Sequence, residues 1–147
     1  MPDSLPLMRR ILIGLDGSEV SLKALRVGGG IARVSGATLL LAHVVQPARH
    51  AEEPADLTPL DRLRQEHRFG EQVLRDALAA TPGLQEIPCM LLVLRGEPSS
   101  ALVQAAIEHS ADLVVVGTRG LGGVRGLLGS VSRRVVSRSA GPVLVVR

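Results

Sequence analysis

Between Gly117 and Val136 the chain reads GTRGLGGVRGLLGSVSRRVV, six glycines interspersed with four arginines. Glycine carries an ordering cost that other residues avoid, so this density calls for a local reason. Backbone N–H groups freed by glycine beside a helix N-terminus form a cradle for phosphate. Here Gly117 and Gly120 shape the loop, and Gly129 and Ser130 open a helix. The Ser130 hydroxyl can bond either the helix amides or a phosphate oxygen. The plainer alternative is a flexible connection ending in a helix cap. Asp16, at the end of the first apolar run, is the acidic candidate. It can cap local amides or stand near ribose, phosphate or Mg²⁺.

Two common phosphate motifs are absent. No GxxxxGK[ST] occurs, and the sole lysine is Lys23. The first turn reads GLDGSE rather than GxGxxG, which disfavours a dinucleotide cofactor. No serine has a paired base visible in the sequence, so a Ser/His/Asp hydrolase is a poor reading. His50, His67 and His109 share no metal-ligand spacing and read as surface residues, and His43 as a strand-end residue packed near the site. Cys89, the one cysteine, excludes an internal disulfide; inside an apolar run it reads as a small core residue. Ser99 and Ser100 sit at a helix start, where capping explains them.

The net charge of +3 is unevenly placed. No acidic residue follows Asp112, whereas Arg119, Arg125, Arg133, Arg134, Arg138 and Arg147 do. The C-terminal third therefore carries a positive field suited to an anion, or a merely soluble arginine-rich surface. Arg119 and Arg125 can neutralise phosphate or remain solvated loop residues. Nucleic acid is disfavoured as the anion, because the aromatic residues reduce to Phe69 and stacking platforms are missing.

The elements that must position these residues follow from hydrophobic patterning. RILIGLD (10–16), ATLLLAHVV (37–45), IPCMLLVL (87–94), ADLVVVG (111–117) and VLVV (143–146) are short apolar runs suited to strands buried on both faces. Helical periodicity lies between them, with Ser18 as a cap, Pro98 in a first turn, and a helix from about Pro59 to Ala80 that TPG at 81–83 stops. Ser130 is expected to cap the last helix. QPARHAEEPADLTP (46–59) reads as a long loop.

Strict alternation predicts a Rossmann-like α/β fold: one domain over residues 1–147, an open five-stranded parallel sheet with helices on both faces. At 147 residues and 46% hydrophobic content, a core is attainable without staples. If strands one to three wind one way and four and five the other, the strand order is 3-2-1-4-5. Asp16 and Gly117 then face one crevice, where ligands bind in such sheets. The start, MPDSLPLMRR, lacks the order of a signal peptide, and no apolar run approaches a membrane span. A cytoplasmic location without membrane attachment is the expectation.

The ordered set ILIGLDGSEVSLKAL, LLLAHVV, GEPSSALVQAA, ADLVVVGTRGLGG, GSVSRRVV and GPVLVV resembles the universal stress proteins of the UspA type over nearly the whole chain. Nucleotide-binding members of that family carry G-x2-G-x9-G-[ST]. By position, the resemblance implies that Gly117, Gly120, Gly129 and Ser130 contact the ribose and phosphates of ATP, with the Val131 amide assisting. It places Asp16 beside the nucleotide, within the turn Gly14–Leu15–Asp16. It also has Val44 meet adenine through its backbone and Val116 line the site. The pattern is shortened here: eight residues, LGGVRGLL, separate Gly120 from Gly129. Gly122, Gly123 and Gly126 can absorb the difference; the alternative is weakened or lost affinity.

The resemblance also implies a homodimer through strand 143–146, a short apolar edge of the kind that invites pairing. The function implied is an ATP-binding stress-response module, with or without Mg²⁺, acting through a protein partner. A slow ATPase or self-phosphorylating enzyme, and a dimeric interaction protein without nucleotide, are the competing readings. On this view Gly117→Val should abolish binding and leave the fold intact.

Overall fold

The computed structural model describes residues 7–47, 56–118 and 128–147. Five strands alternate with four helices: β1 (Arg10–Gly14), α1 (Glu19–Ser35), β2 (Thr38–Val45), α2 (Pro59–Ala79), β3 (Cys89–Arg95), α3 (Pro98–Glu108), β4 (Leu113–Gly117), α4 (Ser130–Arg138) and β5 (Val143–Val146). The strands form one sheet in the order β3-β2-β1-β4-β5, and every pairing is parallel. The winding reverses between β1 and β4, as the alternation predicts. The expected long loop after β2 lies partly outside the described residues, because 48–55 are not among them.

Alternate residues of the central strands feed two cores. Ile11, Ile13, Leu39, Leu41, Leu113 and Val115 face α1 and α2, meeting Ala24, Leu25, Ala32, Leu74 and Ala77. Leu12, Leu40, Ala42, Val114 and Val116 face the other way, toward Leu102 and Ala105 of α3 and Val135 of α4. Each fully buried leucine or isoleucine contributes about 1.5–3 kcal/mol, so the continuous apolar runs are explained by burial on both sides. In α2 the buried positions are Gly70, Leu74 and Ala77, while Leu60, Leu63 and Phe69 of the same periodic pattern are exposed.

Strand ends differ from the sequence expectation where hydrogen bonding stops. β4 begins at Leu113 rather than Ala111, because the Asp112 carboxylate accepts the Arg9 and Arg10 amides at 2.8 and 2.9 Å and forms the joint. β3 begins at Cys89 rather than Ile87, since Ile87 N–H turns back to the Leu84 carbonyl. Cys89 itself is exposed, not a core residue. It opens an edge strand, where only one neighbour covers the backbone and the end of the strand meets water.

Ser18 caps α1 as expected, its hydroxyl accepting Ser21 N–H, and Gly36 ends that helix in the left-handed region at φ 73°. Thr58 and Asp61 make a reciprocal capping box on α2, with Pro59 in its first turn. For α3 the cap is Glu97, not Ser99 or Ser100: its carboxylate accepts Ser99 N–H at 3.2 Å, Ser99 O–H at 2.7 Å and Ser100 N–H at 2.8 Å. These bonds, the Ser99 hydroxyl first, hold the Glu97 carboxyl well below its ordinary value of 4.5, down to about 2. Because the folded value is the lower one, the cap contributes fully above pH 4.5 and is lost as pH falls through about 2.

Glu97→Ala is therefore expected to cost about 1 kcal/mol at neutral pH, the usual worth of a helix cap. The gap between wild type and variant should narrow as urea unfolding is repeated from pH 6 down toward pH 3. A gap that stays constant with pH would show that the carboxylate is not the source of the effect.

Candidate functional site

The end of β1 and the turn into α1 carry Gly14, Leu15 and Asp16. Leu15 N–H continues the sheet by bonding the Ala42 carbonyl at 2.8 Å. Asp16 is exposed, and its Oδ1 accepts Ser18 N–H at 2.9 Å, so this carboxylate shapes the turn that starts α1. Gly17, next in the chain, has φ 83°, a conformation that glycine adopts without strain. Ser21, one turn into α1, donates its hydroxyl to the Ser18 carbonyl at 2.8 Å and accepts Asp16 N–H at 3.4 Å.

His43 joins the end of β2 to this turn. It is buried, with Nδ1 2.7 Å from the Leu15 carbonyl oxygen. A carbonyl can only accept, so Nδ1 carries the proton. The ring meets Phe69 edge-on, with centroids 6.0 Å apart. Sequence reading placed His43 near the site; the tie to Leu15 comes from the fold. Val44, its neighbour, is half-buried and packs toward the α3 and α4 face.

On the neighbouring strand, Val116 is buried and paired with Val145 of β5, and Gly117 ends β4 paired with Val146. A Cβ on Gly14 would lie 3.5 Å from Val116, and one on Gly117 would lie 2.9 Å from Cγ1 of Val20 and 3.2 Å from its carbonyl carbon. The end of β4 thus rests against the first turn of α1. The strand order sets the end of β1, followed by the Asp16 turn, beside β4, which ends at Gly117. Gly120, with Arg119, Gly122, Gly123, Arg125 and Gly126, lies outside the described residues.

The chain leaves β4 through Thr118 and enters α4 at Gly129. Gly129 N–H donates to the Thr118 carbonyl at 2.6 Å, and Thr118 N–H to the Val146 carbonyl at 2.8 Å. Gly129 occupies the cap position of α4, with no side-chain cap bond, and Ser130 is the first helical residue. Ser130 is therefore not the cap, contrary to expectation: glycine one position earlier already has the extended backbone a cap requires, at φ −63° and ψ 162°. The Ser130 side chain is exposed and Val131 half-buried.

This arrangement leaves α4 different in kind from α1, α2 and α3, whose first-turn amides are met by Ser18, Thr58 and Glu97. Among the described residues, the first-turn amides of α4 are met by no cap side chain, and the positive end of the helix dipole points the same way. The basic residues of α4 are partly engaged nearby: Arg134 approaches Glu97 at 3.4 Å and Arg138 donates to Ser100 Oγ at 3.2 Å. Two further side chains pack at this joint, Val20, which the sequence does not single out, and Ser132, which it offers only as one hydroxyl for the enzymatic reading. Val20 backs Gly117, and Ser132, buried, bonds the Thr118 and Gly129 carbonyls. The one available signal for Ser132 was its spacing of three from Gly129, which repeats the Ser18–Ser21 spacing of α1.

Among the described residues no helix is long and apolar enough to cross a membrane, and no group of three His, Cys, Asp or Glu could hold a metal ion.

The fold is that of an open parallel α/β protein whose winding reverses between β1 and β4, with α4 entered from the end of β4. The chain belongs to the universal stress protein family, whose model matches residues 8–147. It is 39% identical over 143 residues to a universal stress protein encoded in the QAH/OAS sulfhydrylase 3′ region of Thermus aquaticus, covering 96% of this chain and all of the relative. A universal stress protein solved in complex with cAMP superposes with a TM-score of 0.71 at 33% identity, covering 97% of this chain and 98% of that one. A second, from Archaeoglobus fulgidus and in complex with dAMP, superposes with a TM-score of 0.67 over 97% of this chain and 100% of its own; at 20% identity it speaks for the fold.

Proposed function

We propose that this chain is an adenine-nucleotide-binding stress-response module, with ATP as the ligand, held in the crevice between the β1–α1 turn and the start of α4. The observation that carries the reading is the start of α4, without a side-chain cap among the described residues and tied by Gly129 N–H to Thr118 at the end of β4, the strand beside β1 and its Asp16 turn. The relative solved with cAMP supports an adenine ligand class.

In this reading Gly117, Gly120, Gly129 and Ser130 contact ribose and phosphates. The geometry refines one role: Gly129 N–H is committed to the Thr118 carbonyl, so Gly129 serves by close approach. Among the described residues of this joint, the donors offered to phosphate are the amides of Ser130 and Val131 and the exposed Ser130 hydroxyl. Asp16 keeps one oxygen on Ser18 N–H and faces ribose, or a Mg²⁺ that arrives with the phosphates. Val44 meets adenine through its backbone, and Gly14, Leu15 and Val116 line the floor. Backbone recognition suits a site whose one nearby aromatic, Phe69, sits against His43. Pairing of two copies along β5, an edge of the sheet, belongs to the same proposal.

The test is a thermal titration with ATP and Mg²⁺, run beside cAMP, on a sample whose mass is checked by light scattering. At a ligand concentration of about 100 Kd the native state gains about 2.7 kcal/mol. A chain of this size gains about 3 °C in Tm per kcal/mol, so a rise of about 8 °C is expected. No shift at millimolar nucleotide would overturn the reading. A shift without phosphate release over hours identifies a binding module, and steady release identifies an enzyme.

A further inference from the structure

We propose that Ser132 is a positioning residue for the nucleotide site, its hydroxyl pinning the end of β4 to the first turn of α4. The inference rests on the nucleotide-binding reading and adds to it a residue that contacts no ligand.

Ser132 is 2% exposed, and its Oγ lies 3.0 Å from the Thr118 carbonyl oxygen and 3.0 Å from that of Gly129. A hydroxyl has one proton and both carbonyls only accept, so it serves one of them at a time. The Thr118 carbonyl also takes the Gly129 N–H at 2.6 Å, and the Thr118 N–H goes to Val146. The Thr118 peptide is thereby held from two directions, by β5 on one side and by the head of α4 on the other.

Comparison with α1 shows what is special about this joint. Ser21 occupies the same place in its helix, three residues after the cap, and also returns its hydroxyl to the cap carbonyl. Ser132 does that and reaches the strand end across a gap of fourteen residues in sequence. The separation of Thr118 from Gly129 is the separation between the two ends of the glycine-rich segment. The direction of the Ser130 and Val131 amides is set by how α4 leaves that joint. Without the hydroxyl, the Gly129 N–H bond is the remaining link from the head of α4 to the Thr118 carbonyl, at a residue with no side chain to resist rotation, while Val135 still packs the body of the helix.

The test compares wild type, Ser132→Ala and Ser132→Thr by calorimetric titration with ATP and Mg²⁺ well below any Tm. Ser132→Ala is expected to bind about tenfold more weakly, the worth of one hydrogen bond, while Ser132→Thr, which keeps the hydroxyl, stays within about twofold of wild type. Tm falls by about 3 °C in Ser132→Ala, but any buried hydroxyl would do this, so Tm alone does not decide the matter. Affinity in Ser132→Ala equal to wild type overturns the proposal, as does equal weakening in Ala and Thr variants. If wild type binds no adenine nucleotide, the nucleotide reading fails on its own. The clamp is then judged from hydrogen exchange of the Gly129 amide in the ligand-free chain: about tenfold faster in Ser132→Ala if the hydroxyl holds the joint, unchanged if it does not.

Discussion

Gly117→Val is expected to weaken nucleotide binding by about a hundredfold or more, equivalent to about 2.7 kcal/mol, and to lower Tm as well. The second half of that expectation departs from what the sequence implies. A Cβ at position 117 would stand 2.9 and 3.1 Å from the two methyls of Val20 and 3.2 Å from its carbonyl carbon. The methyls can turn away, but the carbonyl carbon is backbone in the first turn of α1. To admit the larger residue, α1 must back off from β4 and carry the Asp16–Ser18 turn with it. The two segments assigned to the nucleotide then move together. Overpacking of this kind costs about 1–3 kcal/mol, a fall of about 3–9 °C for a chain of this length.

A companion variant tests the cause. In a Gly117→Ala background, Val20→Ala removes the two methyl contacts and leaves the backbone one. It should return part of the lost Tm, a coupling that independent sites do not show. Wild-type Tm together with wild-type affinity in Gly117→Val would mean that the close approach of β4 to α1 is immaterial.

The second large effect lies in α1, where Gly28, Gly29 and Gly30 follow one another in mid-helix. Each costs about 0.5–1 kcal/mol relative to alanine, so the run needs compensation from packing. Gly28 is buried, and a Cβ there would come 2.5 Å from Cδ1 and 3.2 Å from Cγ1 of Ile13, in the central strand. A Cβ on Gly29 would run into Leu84. Gly30 is exposed, with nothing within 4 Å of its Cβ position. Gly28→Val is therefore expected to lose about 3 kcal/mol, or about 9 °C, by wedging α1 off β1. Gly30→Ala, two residues away, should gain about 0.5–1 kcal/mol, a rise of about 2–3 °C. Thermal unfolding of both variants checks the pair. If they shift Tm in the same direction, helix propensity rather than close packing governs this segment.

The parts of the molecule legible in the sequence are those where a period or a local bond sets the outcome. Runs such as LLLAHVV and LVVVG are apolar almost throughout, His43 apart, because both sheet faces are covered, so strand identity and parallel winding could be read directly. Ser18 could be named as a cap because its bond reaches just three residues along the chain. The wrong assignments came where two local solutions compete. Glu97, Ser99 and Ser100 all stand at the start of α3, and the carboxylate prevailed because it satisfies two amides and a hydroxyl at once. At α4, glycine took the cap position and left the Ser130 hydroxyl exposed. Cys89 looked interior by its apolar neighbours, but edge position is a property of the sheet order, and β3 is an edge.

The sequence by itself determined the alternation of elements, the switch point between β1 and β4, the family, and the glycine-rich approach to α4. Those follow from periodicities of two and 3.6 residues and from an ordered set of short motifs, all of which are local. The tertiary structure alone decided that Val20 backs Gly117, that His43 holds the Leu15 carbonyl, and that Ser132 ties Thr118 to α4. These contacts join residues far apart in the chain, and their distances are set by how closely helix and sheet pack. No pattern within one segment encodes that separation, and it is what sets the β1–α1 turn, the end of β4 and the head of α4 beside one another.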